Sequence, residues 1–145
     1  MGANVVLLAV LAALTVAQPF VEALAPTPYV DKWHVHVVNG LSNATLFAHC
    51  KSRDTDLGEH NLNRGAEIQW SFKENVWGTT LFWCFLKKPG GSASFDVFWR
   101  EVDHLWLHYR CTNDGTCIWT AKDDGIYIRN IPDNLDELVH KWTSS

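Results

Sequence analysis

The segment Cys111-Thr112-Asn113-Asp114-Gly115-Thr116-Cys117-Ile118-Trp119, continued by Lys122-Asp123-Asp124-Gly125-Ile126-Tyr127-Ile128, limits this chain most tightly. It sets two cysteines, two turn sequences and alternating apolar residues in one short span. Asn, Asp and Gly tolerate the positive φ that hairpin turns demand, so Asn-Asp-Gly and Asp-Asp-Gly each read as a chain reversal. Strands near Cys111 and Cys117 then lie side by side, their thiols placed to bridge each other or to reach back to Cys50 and Cys84, which complete the four cysteines.

At the other end of the chain, Val5 to Val16 is an apolar run followed by small residues and a polar shift, the pattern of a secretory signal peptide. It is too short to span a bilayer, for which about 20 apolar residues are needed. Small residues at −3 and −1 fit cleavage after Ala17, Ala23 or Ala25, so residues 1–25 are expected to be removed and 26–145 to form one domain. A lipid anchor is not expected, because Val6 stands where myristoylation wants Ser or Thr. A domain of this size buries a core but gains from crosslinks, and an even cysteine number in a short secreted chain points to two disulfides. Four cysteines allow three pairings. Bridges joining the early cysteines to the late pair are preferred, and a local Cys111–Cys117 bridge across the hairpin stays open. Apart from Glu22, 15 of the 16 acidic residues face all 12 Lys and Arg in the mature part. That balance argues against nucleic acid or an anionic membrane surface as the partner, since both call for a basic stripe.

Alternating apolar positions predict strands over Trp33 to Asn39, Ala44 to Cys50, Glu67 to Phe72, Thr79 to Leu86, Ser94 to Arg100, Leu105 to Cys111, Cys117 to Ala121 and Ile126 to Arg129. Lys51 to His60 reads as a charged, solvent-facing loop, and Glu101 to His104 as a short polar link. Asp133 is placed to N-cap a short C-terminal helix with Leu135, Leu138 and Trp142 as its apolar stripe. The fold class expected is all-β: a small antiparallel sandwich of about eight strands with two disulfides and this short helix. Asn43-Ala44-Thr45 is an N-glycosylation sequon at the mouth of the second strand.

The landmarks run in a definite order. Val35-His36-Val37-Val38-Asn39 is followed by His49-Cys50-Lys51-Ser52-Arg53-Asp54-Thr55-Asp56-Leu57-Gly58, Trp70-Ser71-Phe72-Lys73, Trp77-Gly78-Thr79-Thr80-Leu81-Phe82-Trp83-Cys84 and Phe95-Asp96-Val97. Cys111, Cys117-Ile118-Trp119 and Asp124-Gly125-Ile126-Tyr127 close the series. The chain resembles the plant self-incompatibility protein S1 family, the S-protein homologues, over essentially all of its mature part. It departs from the pattern at Thr55, where the family often carries an acidic residue, and over the Trp- and His-rich segment Phe98 to His108. The resemblance implies a small secreted β-sandwich with two disulfides, found in the apoplast and used as an extracellular ligand for a cell-surface receptor. It implies no catalysis and no cofactor, and it attributes recognition to hydrophilic loops.

Other chemistries have weaker support. His34 with His36, and His104 with His108, lack the third and fourth ligands that zinc requires. Oxidised cysteines cannot serve as thiolate nucleophiles, and Asp54 with Asp56, or Asp123 with Asp124, are loop neighbours that do not face each other across a scissile bond. Eight tryptophans raise the alternative of a carbohydrate-binding, lectin-like module. Trp33, Trp70, Trp83, Trp99 and Trp119 fall in strand patterns that read as core, which leaves Trp77, beside Gly78 in a turn, as the exposed candidate. The receptor-binding candidates are Arg53, Asp54 and Asp56 in the first charged loop and Glu101, Asp103 and His104 in the link. Charges at such sites steer encounter and discriminate between partners.

Overall fold

Alternating burial along each strand builds two five-stranded sheets. The computed structural model describes residues 30–102, 105–112 and 114–145. Its elements are β1 (Trp33–Asn39), β2 (Leu46–Ser52), β3 (Asp56–Leu62), β4 (Glu67–Phe72), β5 (Leu81–Lys88), β6 (Gly91–Trp99), α1 (Trp106–Cys111), β7 (Thr116–Lys122), β8 (Gly125–Asn130), β9 (Leu135–His140) and β10 (Thr143–Ser144). One sheet has the order β4-β1-β7-β8-β9 and the other β10-β6-β5-β2-β3. All neighbours pair antiparallel except β1 and β7, which run parallel with Val35 opposite Cys117.

Between the sheets, Val35, Val37, Trp119, Ile126 and Ile128 from the first meet Leu46, Ala48, Leu86, Phe95 and Val97 from the second. Trp119 is fully enclosed, and its indole N–H donates across the core to the Val97 carbonyl at 2.9 Å. That acceptor is free for a local reason. Opposite β5, Phe82 pairs with Phe98 but Trp83 pairs with Asp96, so Val97 is the extra residue of a β-bulge. The bulge also changes the phase of the strand: Val97 and Phe98 are both buried, and Trp99 passes to the outer face, half-buried rather than in the core. At the other end of β1, Asn39 is buried with its amide satisfied, donating to the Ala44 and Leu62 carbonyls and accepting from the Leu41 amide, each at 2.9 Å.

Several sequence expectations are corrected. The strand expected over Leu105 to Cys111 is the short helix α1. Leu107 and Cys111, four residues apart, bury one helical face, while Arg110 lies 4.1 Å from the Trp106 ring centre and donates to the Trp106 carbonyl. The expected C-terminal helix is the edge strand β9. Leu135 and Leu138, its supposed buried stripe, are instead 44% and 45% exposed. Ion pairs hold β9 in place: Glu137 with Arg110 at 2.6 Å, and Asp136 with Lys122 at 2.8 Å and Arg129 at 3.3 Å. Part of the expected charged loop is the edge strand β3; with β9 and the short β10 added and one expected strand replaced by α1, ten strands lie among the described residues. Bridges between early and late cysteines do not form. Cys50 bonds Cys84, its direct partner across β2 and β5, and Cys111 bonds Cys117 from the end of α1 to β7.

The two bridges close loops of different size, with separations of 34 and 6 residues. In the chain-entropy model they contribute about 4 and about 2 kcal/mol respectively. Replacing Cys50 and Cys84 by alanine should therefore lower the unfolding free energy more than replacing Cys111 and Cys117, as read by denaturant titration; equal losses would refute this ordering. Trp119→Phe should cost about 1–3 kcal/mol by leaving the Val97 carbonyl without its donor. A loss confined to the difference in apolar area would show that the hydrogen bond adds nothing.

Candidate functional site

The strand registers sort the loops into two groups. Ser52 lies opposite Phe82, Leu81 opposite Trp99, and Trp33 opposite Phe72. Residues 53–55, 73–80 and 100–102 therefore converge on one end of the sandwich. Beneath them sits an aromatic plug linking the sheets: Phe72 is 4.5 Å from Phe82 and 4.8 Å from Phe98, and Phe98 is 4.9 Å from Trp33, between ring centres. Asn43 stands exposed at the opposite end, in the loop leading into β2.

Arg53 and Asp54 occupy the exposed tip of the β2–β3 turn, which closes through Ser52 N–H to the Thr55 carbonyl at 2.8 Å and Thr55 N–H to Ser52 Oγ at 3.1 Å. Asp56 has a different task. Its carboxylate accepts from the Gly58 amide at 2.8 Å and pairs with His49 Nε2 at 2.7 Å. The Gly58 N–H bond first, and His49 second, hold the Asp56 carboxyl below its ordinary range. Gly58 has φ +83°, a left-handed conformation that disfavours side chains, so the charged loop is shaped by Asp56 rather than by its tip.

The facing β4–β5 loop is rigid for a similar reason. Asn75 Oδ1 accepts from the Thr79 amide at 3.0 Å, Asn75 Nδ2 donates to Thr79 Oγ1 at 2.9 Å, and Asn75 N–H reaches Thr80 Oγ1 at 2.8 Å. This turn presents Val76 and Trp77 to solvent at 90% and 82% exposure. A cleft of about 510 Å³ separates the two loops, lined by Arg53, Asp54, Lys73, Trp77 and Trp83 among others. Gly78, at φ +70°, lets the Arg100 guanidinium lie against the turn, where any β-carbon would collide with it. Arg100 thus joins the turn to the link before α1.

Glu101 in that link is also committed. Its carboxylate accepts from the His108 amide at 2.8 Å, satisfying one of the open donors of α1's first turn and placing negative charge at the positive end of the helix. Asp103 and His104 lie outside the described residues. Of the candidates read from sequence, the tip residues Arg53 and Asp54 are thus open to a partner, while Asp56 and Glu101 organise loops. Lys73 and Arg100 were not among the candidates, because Lys73 read only as the end of the Trp70–Lys73 landmark and Arg100 only as the last residue of a strand. Trp77, by contrast, is as exposed as its turn context indicates.

The family model for plant self-incompatibility protein S1 matches residues 34–142. The chain is 45% identical over 116 residues to S-protein homolog 1 of Arabidopsis thaliana, covering 79% of this chain and 74% of that one. It is 43% identical over 118 residues to S-protein homolog 74 of the same plant, covering 81% and 76%. A solved SPH (Self-Incompatibility Protein Homologue) structure, from a family described as widespread, small, highly stable and secreted from plants, superposes with a TM-score of 0.59 at 19% identity, covering 79% of this chain and 97% of the other. Two sheets, two disulfides and the match along nearly all described residues lead to one conclusion: the chain belongs to the plant self-incompatibility protein S1 family, the S-protein homologues.

Proposed function

We propose that this protein is an extracellular signalling ligand that binds a cell-surface protein receptor through the loops at the 53–55 and 73–80 end, acting by recognition rather than catalysis. The observation that carries this reading is the Val76–Trp77 tip. A large aromatic and an aliphatic side chain stand almost fully in solvent on a turn held rigid by Asn75, beside the charged Arg53–Asp54 tip. An exposed aromatic rimmed by charge is the composition of an interaction hot spot, in which the aromatic supplies affinity and the rim supplies encounter rate and selectivity. Preorganisation limits the entropy lost on docking. Residues 1–25 act in this reading as the signal peptide, cleaved after Ala17, Ala23 or Ala25. Asn43 carries an N-glycan at the far end, where it does not obstruct the loops.

Binding of the labelled, oxidised protein to living plant cells, with and without mild surface proteolysis, tests the reading. Saturable, protease-sensitive binding is expected. Trp77→Ala should weaken it by about 2 kcal/mol or more, near 30-fold. Exchanging the charges, Arg53→Glu with Asp54→Lys, should lower the association rate with no change in thermal stability. Wild-type binding by both variants removes this end of the molecule from the proposal. For the glycan, mass spectrometry of the secreted chain should find a sugar increment at Asn43 that Asn43→Gln abolishes, leaving cell binding intact; an unmodified Asn43 contradicts its assignment.

A further inference from the structure

A strand at the edge of a sheet offers a row of unpaired N–H and C=O groups, and among the described residues every edge but one is guarded against a further strand. β3 carries Asp56 and Glu59, a left-handed residue at Gly58 and a register shift against β2. β9 carries Asp136, Glu137 and His140 and shifts register against β8. β10 is two residues long, and the part of β6 beyond it holds the Val97 bulge. β4, at the outer edge of the first sheet, has none of these devices. Its six residues pair one-to-one with β1 without a shift, include no proline or glycine, and carry a single charge, at the first position.

Which groups of β4 are open follows from its pairing. The Asn39 N–H donates to the Ala66 carbonyl at 2.9 Å, and residues bonded to a given neighbour alternate along an antiparallel ladder. Ile68, Trp70 and Phe72 therefore spend their backbone groups on β1, while Glu67, Gln69 and Ser71 turn theirs outwards. The side chains alternate with the same period. Ile68, Trp70 and Phe72 are half-buried against the core, whereas Glu67, Gln69, Ser71 and the following Lys73 are exposed. A cleft of about 420 Å³ between β4 and β3, lined by Leu57, Leu62, Ile68 and Trp70 among others, leaves apolar surface beside the free backbone.

An added strand must match this pattern, and a second β4 does. With the two strands antiparallel about a two-fold axis at Trp70, Gln69 faces Ser71 of the other copy through their outward backbone groups. In the same register Ile68 faces Phe72, Trp70 faces Trp70 and Glu67 faces Lys73. Aromatic, aromatic–aliphatic and opposite-charge pairs directly across a ladder each stabilise a sheet. Registers centred on Gln69 or Ser71 leave both charges without an opposite partner. Glu67 meets His36 Nδ1 at 3.2 Å through one oxygen, and Lys73 meets Asp31 at 3.8 Å. Both contacts lie at the surface and leave a carboxylate oxygen and ammonium hydrogens for the other copy. We propose that two copies of this chain pair through β4 in this register, joining their β4-β1-β7-β8-β9 sheets into one continuous sheet. The two-fold pairing uses the open edge of each copy, and the guarded edges at β9 and β3 admit no further strand, so the assembly closes as a dimer. Antiparallel pairing directs the two 73–80 loops to opposite poles. This goes beyond the receptor reading and does not rest on it.

Sedimentation of the secreted, oxidised protein from about 1 μM to about 1 mM spans the affinities that one strand pairing gives. A monomer–dimer equilibrium is expected. In hydrogen exchange, the amides of Gln69 and Ser71 should gain protection as concentration rises, while those of Ile68 and Trp70 stay protected throughout. Lys73→Glu, at an exposed position, should weaken the dimer about tenfold or more with the Tm of the dilute protein unchanged, since two opposite-charge pairs become like-charge pairs. Glu67→Lys combined with Lys73→Glu should restore it. Gln69→Pro removes an outward N–H at an edge position, where proline is tolerated, and should abolish the dimer. A monomer over the whole range would overturn the proposal and leave this edge to a strand of another protein. Concentration-dependent protection on a different strand, a Lys73→Glu variant that pairs as the wild type does, or a charge exchange that restores nothing would each overturn it as well.

Discussion

The hydrogen bond from Trp119 to the Val97 carbonyl joins the two sheets at the centre of the molecule, and much of the rest depends on it. A tryptophan can be fully enclosed only if its N–H finds an acceptor, because an orphaned donor in an apolar core costs more than the bond itself contributes. The acceptor lies on Val97, the extra residue of the bulge in β6, and the same insertion turns Phe98 into the aromatic plug under the loop end and Trp99 to the outer face. One extra residue thus satisfies the core and sets the direction of two surfaces.

The two ends of the sandwich divide the work. At one end Asn39 gathers the β1–β2 and β3–β4 loops into a buried polar knot, and the exposed Asn43 lies beside it. At the other end Asn75, Asp56 and Glu101 each spend their side chains on backbone amides, which leaves Arg53, Asp54, Val76 and Trp77 held up to solvent on stiff turns. Residues that hold loops and residues that offer contacts alternate along the same short segments. A charged residue in a loop is therefore an ambiguous sign of function until its hydrogen bonds are known.

The strands most legible in the sequence are those with one face in the core and one in water: β1 and β4 match the expected bounds, and β7 and β8 differ by a residue at either end. Their alternation is a direct imprint of that asymmetry. Leu105 to Cys111 fails the same test because Leu107 and Cys111 fit either a strand face or successive helical turns. The choice falls to the helix, where Arg110 covers Trp106 and Glu101 caps the first turn. Leu135, Leu138 and Trp142 imitate a helical stripe, yet Asp136 and Glu137 find Lys122, Arg129 and Arg110 only when the segment runs extended beside β8.

By itself the sequence determined the class of the molecule: a disulfide-bonded β-sandwich of the S-protein homologue family, because apolar alternation, turn residues and cysteine number are local properties that need no partner to be read. The family motif around Cys50 likewise marked the loop that meets the Trp77 turn. Tertiary structure decided the rest. Cysteine pairing follows from strand register, which brings Cys50 opposite Cys84. The separate roles of Asp54 and Asp56 follow from which carboxylate finds an amide and a histidine. The outward turn of Trp99 follows from a one-residue bulge that Trp119 needs from the opposite sheet. Each is a contact between residues distant in the chain, and the free energy of such a contact exists only once the sheets have packed.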